Sequence, residues 1–105
     1  MAAGANSSRP IMRLLELLGR RWALRVLWEL RGEALRSRAL RAACDDVSPT
    51  VLQRRLDELR EAGLVDLNQE QGYCLTRLGR ELLEAFSPLY KFAEKWAKNV
   101  KSADL

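Results

Sequence analysis

"SPTVLQRRLDELREAGLV", Ser48 to Val65, has two unlike faces when wound as a helix. Leu52, Leu56 and Leu59 recur at spacings of four and three and make one apolar stripe. Thr50, Gln53, Arg54 and Asp57 fall on the other side. Ser48 is an N-cap residue, Pro49 suits a first helical turn, and Gly63 suits a helix exit after about Ala62. The run therefore predicts a capped helix with one face for a core and one for solvent or a partner.

Working outward, "SRALRAAC" predicts a shorter helix just before it, with Ser37 as its cap and Leu40 and Ala43 facing inward. Between the two helices, Asp45 and Asp46 mark a turn, because Asp side chains bond their own backbone. A short helix, a brief turn and a longer helix make a helix-turn-helix. After it, Leu64, Val65 and Leu67 resemble a strand, "NQEQG" a loop and "YCLT" a second strand. That short hairpin is what a winged helix adds.

Upstream, "IMRLLELL" puts Ile11, Leu14, Leu15 and Leu18 on one side of a helix starting at Pro10, and Gly19 ends it. "RRWALRVLWELR" follows, with Trp22, Val26, Leu27 and Leu30 at helical spacing and Gly32 to close it. Downstream of Thr76, an apolar stripe runs through Leu78, Leu82, Leu83, Phe86, Leu89, Tyr90, Phe92, Ala93 and Trp96. Ser87-Pro88 predicts a kink there, or a division into two helices. The fold class is mainly α with a small β-hairpin: a winged helix-turn-helix. Residues 1–9 read as a small, polar, disordered arm, 10–98 as the winged domain with dimerisation helices, and 99–105 as a tail.

Composition agrees with one folded domain. The chain has 105 residues, 48% hydrophobic, which is enough for a packed core. Its formal charge of +4 permits a polyanionic partner without requiring one. With no histidine and only Cys44 and Cys74, the usual general base, most zinc sites and a disulfide framework are out of reach. No glycine-rich phosphate loop appears, and the adjacent Asp45 and Asp46 do not converge easily on one cleft. The expectation is no enzyme, no metal and no cofactor. The N-terminus has no apolar run of the signal-peptide kind, and no segment nears the roughly 20 apolar residues that span a bilayer. A cytoplasmic location with reduced thiols follows, the cysteines being small buried residues.

A lone helix showing Gln and Arg is usually a solvated surface. The short helix before it, the hairpin after it and the basic balance favour a different role. In this arrangement the second helix enters the DNA major groove, N-terminal residues first. Thr50, Gln53 and Arg54 are the base-reading candidates, Gln53 suiting adenine and Arg54 guanine. Asp57, further along, is placed to orient Arg54. Arg36, Arg38, Ser48, Arg55 and Arg77 are candidates for the phosphate backbone, where contacts position without specifying. The C-terminal stripe through Leu89, Phe92 and Trp96 is too apolar for free surface and suits a second subunit.

The stretch from Leu17 to Val65 and the later "YCLTRLGRELL" resemble the HxlR-type winged-helix transcriptional regulators, relatives of the MarR group. The pieces that carry the resemblance are Gly19, Arg21 and Trp22 at the second helix, "SPTVLQRRLDELREAGLV", and "LTRLGREL" after the wing. It covers roughly residues 12–97. The resemblance implies a homodimer that binds double-stranded DNA, with recognition helix Ser48 to Ala62. Dimer contacts would come from the first and last helices: Leu14, Leu18, Leu89, Phe92 and Trp96. Redox-sensing relatives carry a cysteine just before the first helix; here Ile11, Met12 and Arg13 stand there. The wing carries Glu70 and no cation at its tip, which motivates an alternative: a winged-helix protein-interaction module that does not bind DNA. No residue pattern names a small-molecule effector.

Overall fold

The computed structural model describes residues 9–100. The arm over 1–9 and the tail over 99–105 therefore lie outside the described residues, apart from Arg9, Asn99 and Val100. The elements are α1 (Pro10–Leu18), α2 (Ala23–Glu29), α3 (Ser37–Ala43), α4 (Pro49–Glu61), β1 (Val65–Asn68), β2 (Gly72–Leu75) and α5 (Arg77–Asn99). This is a winged helix-turn-helix.

The opening stretch folds as its side chains require. The Ser48 hydroxyl accepts the Val51 N–H at 3.1 Å, satisfying an amide that the first turn of α4 leaves free. At the other end the backbone turns back through Gly63, whose φ of +79° is left-handed. Leu64 N–H then reaches the Leu59 carbonyl and Gly63 N–H reaches that of Arg60, both at 2.9 Å. That pair of bonds is a Schellman motif, and buried Leu59 and Leu64 supply its apolar contact. Leu52, Leu56 and Leu59 are buried, and each such side chain contributes about 1.5–3 kcal/mol on leaving water. Their core partners include Val26, Leu27, Leu30, Leu40 and Cys44, all buried.

The turn between α3 and α4 runs through Asp45 and Asp46, both left-handed, with φ of +55° and +57°. Arg25 on α2 holds it. The guanidinium donates to the Ala43 carbonyl at 2.7 Å, to Asp45 at 3.2 Å and to Glu29 at 2.9 Å. Arg41 Nε donates to the Val47 carbonyl at 2.7 Å, tying the far side of the turn.

Three local expectations shift. The helix read from Trp22 begins at Ala23, with Trp22 itself left-handed at φ +78°. It ends at Glu29, before Gly32, because the Leu30 N–H is shared between the Val26 and Leu27 carbonyls and the last turn tightens. Ser37 is the first residue of α3 and not its cap, which is Arg36 without a side-chain bond.

The strands pair antiparallel, Val65 with Leu75 and Asn68 with Gly72 at the ends. Asn68 Oδ1 accepts the N–H groups of Glu70 and Gln71, closing the wing loop. Leu35, between α2 and α3, exchanges both backbone bonds with Tyr73 and so adds a third, one-residue rung. Gly72 is required at that crossing: its φ is +103° and an added Cβ would sit 2.5 Å from the Leu35 carbonyl oxygen.

The spacing around Ser87-Pro88 predicts a kink or two helices; the two-helix alternative is overturned, since α5 runs as one helix from Arg77 to Asn99 with Pro88 inside. A proline removes one N–H from the ladder, and contacts on both sides outweigh that loss. Leu82, Leu83 and Phe86 pack on the core before it. Just after it, Tyr90 meets Trp28 with ring centroids 4.7 Å apart, and the Arg31 guanidinium lies over the same indole at 4.0 Å. Leu18 is also corrected. It is only 5% exposed and belongs to the chain's own core, so it has no surface to offer a partner. No helix among the described residues is long and apolar enough to cross a membrane.

Candidate nucleic-acid interface

Because the three leucines of α4 point into the core, Thr50, Gln53, Arg54 and Asp57 are carried outward, and all four are exposed. Among the described residues nothing packs over this face. Gln53 Nε2 donates to Asp57 Oδ1 at 2.9 Å. Asp57 therefore orients Gln53 and not Arg54, which has no side-chain bond or ion pair among the described residues. The i,i+4 spacing of Gln53 and Asp57 is the sequence signal for this pairing.

The neighbouring elements extend the surface. Ser37, Arg38 and Arg41 of α3 share a shallow cleft with Pro49, Leu52 and Gln53 of α4. A second cleft joins Arg36, Ser37 and Arg38 to Leu67, Asn68, Gln69 and Tyr73 of the hairpin. Arg38 lines both, so one continuous strip runs from the wing, across the start of α3, to the start of α4. The Arg36 guanidinium spans the second cleft and donates to the Glu70 carbonyl at the wing tip. Ser48 lies exposed at the start of α4 with its oxygen already bonded to Val51 N–H.

Two candidates do not join the strip. Arg55 is turned inward, its side chain only 14% exposed. Its Nε donates to the Arg21 carbonyl at 2.8 Å, and its other guanidinium arm pairs with Glu58 at 2.6 Å. Glu58 also pairs with Arg20 at 2.9 Å. Arg55 thus fastens α4 to the α1–α2 junction and is not free for a phosphate; its place at the edge of the leucine stripe, beside Leu59 on the helix wheel, lets it turn under. Arg77 is 95% exposed but stands at the foot of the hairpin, away from the tip, and pairs loosely with Glu81 at 3.5 Å. It lines neither cleft.

On a separate part of the molecule, α1 and α5 expose large apolar side chains. Leu89, Phe92 and Trp96 are all exposed, Phe92 by 58%. Ile11, Met12 and Leu15 of α1 are exposed as well, in place of the expected Leu14 and Leu18. Leu14 is half-buried and packs against the core. The α1 stripe is about as wide as the arc that holds all of these residues, so only the docked position of the helix separates inner from outer ones.

Comparison with known proteins fits this geometry. The family model described as HxlR-like helix-turn-helix matches residues 17–101. A solved MarR-family transcriptional regulator from Enterococcus faecalis V583 is 32% identical, with a TM-score of 0.73 over 90% of each chain. An HxlR-family transcriptional factor from Thermoplasma volcanium GSS1 is 26% identical, with a TM-score of 0.72 over 86% of each chain. Quinone-bound YodB from B. subtilis, at 23% identity and a TM-score of 0.70 over 86% of this chain and 97% of its own, shares the fold. No curated protein sequence matches the chain. A family match spanning most of the domain, the helix-turn-helix with its hairpin, and an exposed polar face on α4 agree: the chain belongs to the HxlR-like helix-turn-helix family.

Proposed function

We propose that this chain is a sequence-specific, DNA-binding transcriptional regulator that acts as a homodimer. The observation that carries the reading is the outward face of α4. Its Thr50, Gln53 and Arg54 are uncovered at the N-terminal half of the helix, the part that leads into a major groove. Arg54 suits the two acceptors of guanine, and Gln53 the donor and acceptor of adenine. Arg36 and Arg38, along the strip beside the wing, suit the flanking phosphates. The α4 N-terminus adds a partial positive charge at the same edge, where Ser48 is exposed as its cap. The partner is double-stranded DNA, which puts the protein in the cytoplasm with the chromosome.

Homodimerisation rests on the apolar surface of α1 and α5. Ile11, Met12 and Leu15 on α1 and Leu89, Phe92 and Trp96 on α5 are all uncovered, more large apolar side chains than two solvent-facing helices need, and a second subunit would cover them. A two-fold pair would set its recognition helices about 34–36 Å apart, one turn of B-DNA, and read a palindromic site. Repression or activation then follows from where that site lies relative to the promoter.

The test is selection of bound duplexes from a random pool, followed by anisotropy titration of the enriched site against a scrambled one. The logarithm of the binding constant should fall with the logarithm of salt by about 0.9 per phosphate contacted. Equal binding of the two duplexes at moderate salt refutes the reading. Arg54→Ala should cost about 1–3 kcal/mol and relax preference at one base pair. One observation favours a protein-binding module instead: the wing tip presents Glu70 and no cation. That reading requires Arg54→Ala to leave regulation in cells intact.

A further inference from the structure

We propose that Asp57 is a specificity-positioning residue: it holds the Gln53 amide in the orientation that reads adenine. This rests on the reading of α4 as the base-contacting helix. The side chains sit one turn apart, Nε2 to Oδ1 at 2.9 Å, on an exposed face with no other group bonded to either among the described residues.

The chemistry fixes the direction of that bond. A carboxylate accepts and cannot donate, so the glutamine must present its nitrogen to Asp57 and turn its oxygen away. One Nε2 hydrogen is then committed, while the second hydrogen and Oε1 remain available. An acceptor and a donor side by side on one amide are what the N6 amino group and N7 of adenine require. Guanine offers two acceptors at the same edge, so Oε1 would meet guanine O6 without a hydrogen between them. An unpaired glutamine can rotate its amide to suit either base. A glutamine pinned by a carboxylate cannot, unless it gives up the bond.

The carboxylate has a second consequence of opposite sign. It is a negative charge on the face turned toward a polyanion, and it weakens attachment to every duplex equally. No ion pair joins it to Arg54, three residues before, among the described residues, so its oxygens are bonded to Gln53 alone. The residue therefore sharpens discrimination while loosening attachment, and those two effects can be read separately.

The experiment uses the full chain and the duplex it enriches from a random pool, with single base-pair variants of that duplex. For Asp57→Ala, the preference for A·T over G·C at the Gln53 contact should fall about 2- to 12-fold, the size of the ordering cost of one flexible side chain. Affinity for a scrambled duplex should rise in the same protein. Asp57→Glu, which keeps a carboxylate within reach of Gln53, should restore the preference. Gln53→Ala should remove it and make Asp57→Ala silent for base choice. If Asp57→Ala tightens all duplexes alike and leaves base preference unchanged, Asp57 acts through charge alone and the proposal falls. If affinity drops evenly together with the melting temperature, the role is merely structural and the proposal again falls. If the parent chain enriches no sequence, the underlying reading of α4 fails and this one with it.

Discussion

Gly79→Ala is a small change at the joint between the hairpin and α5, and the structure sets its cost. A Cβ on Gly79 would lie 2.2 Å from the Leu64 carbonyl oxygen, where ordinary contact begins at 3.4 Å. The obstacle is backbone and cannot swing aside. That oxygen also accepts the Thr76 N–H at 3.0 Å, so moving it breaks a bond. Forcing a methyl into such a contact costs about 1–3 kcal/mol, and loosening the hydrogen bond adds about 1 kcal/mol. Alanine's better helix preference returns at most about 1 kcal/mol. The net expectation is a loss of about 2 kcal/mol, or roughly 8–16 °C in Tm for a domain of this size. Urea titration followed by circular dichroism measures it, at one fixed protein concentration so that any subunit association contributes equally to each variant. Gly32→Ala is the control: nothing lies within 4 Å of its Cβ position, and it should be neutral or slightly stabilising. A neutral or stabilising Gly79→Ala refutes the packing argument.

Arg36→Ala should weaken binding to all duplexes alike and also raise hydrogen exchange at the wing tip, because the same guanidinium holds the Glu70 carbonyl; anisotropy and exchange rates read the two effects. Phe92→Glu combined with Trp96→Glu should leave the fold intact, since both side chains are exposed, and shift sedimentation from dimer to monomer. Burial pushes the Cys44 thiol above its ordinary range, with Arg25 opposing it more weakly. The stability tied to its retained proton is full below about pH 8.5, the unfolded thiol's value, and is lost as pH rises from there through the folded value. Cys44→Ala should flatten that alkaline decline in urea midpoints, and an unchanged slope counts against the assignment.

Residues 48–64 were readable from sequence because three separate local signals agree there: a cap, a leucine stripe and a glycine exit. The hairpin was readable for similar reasons. A division into two helices at Pro88 does not occur because the proline's cost is local, whereas the compensating Trp28–Tyr90 contact joins residues 62 positions apart. Arg55 sits at the edge of the α4 stripe, and only the nearby Arg21 carbonyl decides that it turns inward. Leu15 and Leu18 differ in fate for a similar reason, since a helix cannot announce which edge of its apolar arc its own domain will cover. Asp57 had neighbours at both three and four residues, and spacing alone did not choose between Arg54 and Gln53.

Thr76 has a mechanical consequence. Its N–H bonds to Leu64, its hydroxyl donates to Gly63 at 2.6 Å, and the same oxygen caps α5 by accepting from Gly79. The exit of α4 and the entry of α5 are thereby riveted at a single point. From that rivet to Trp96 the helix is a stiff arm of about 30 Å, at 1.5 Å per residue. A swing of about 5° at one end displaces the other by roughly 2–3 Å over that length. In a paired assembly, the angle at which two such arms cross would therefore set the gauge between the two reading heads, and a small wedge at the crossing would throw them off the pitch of a duplex.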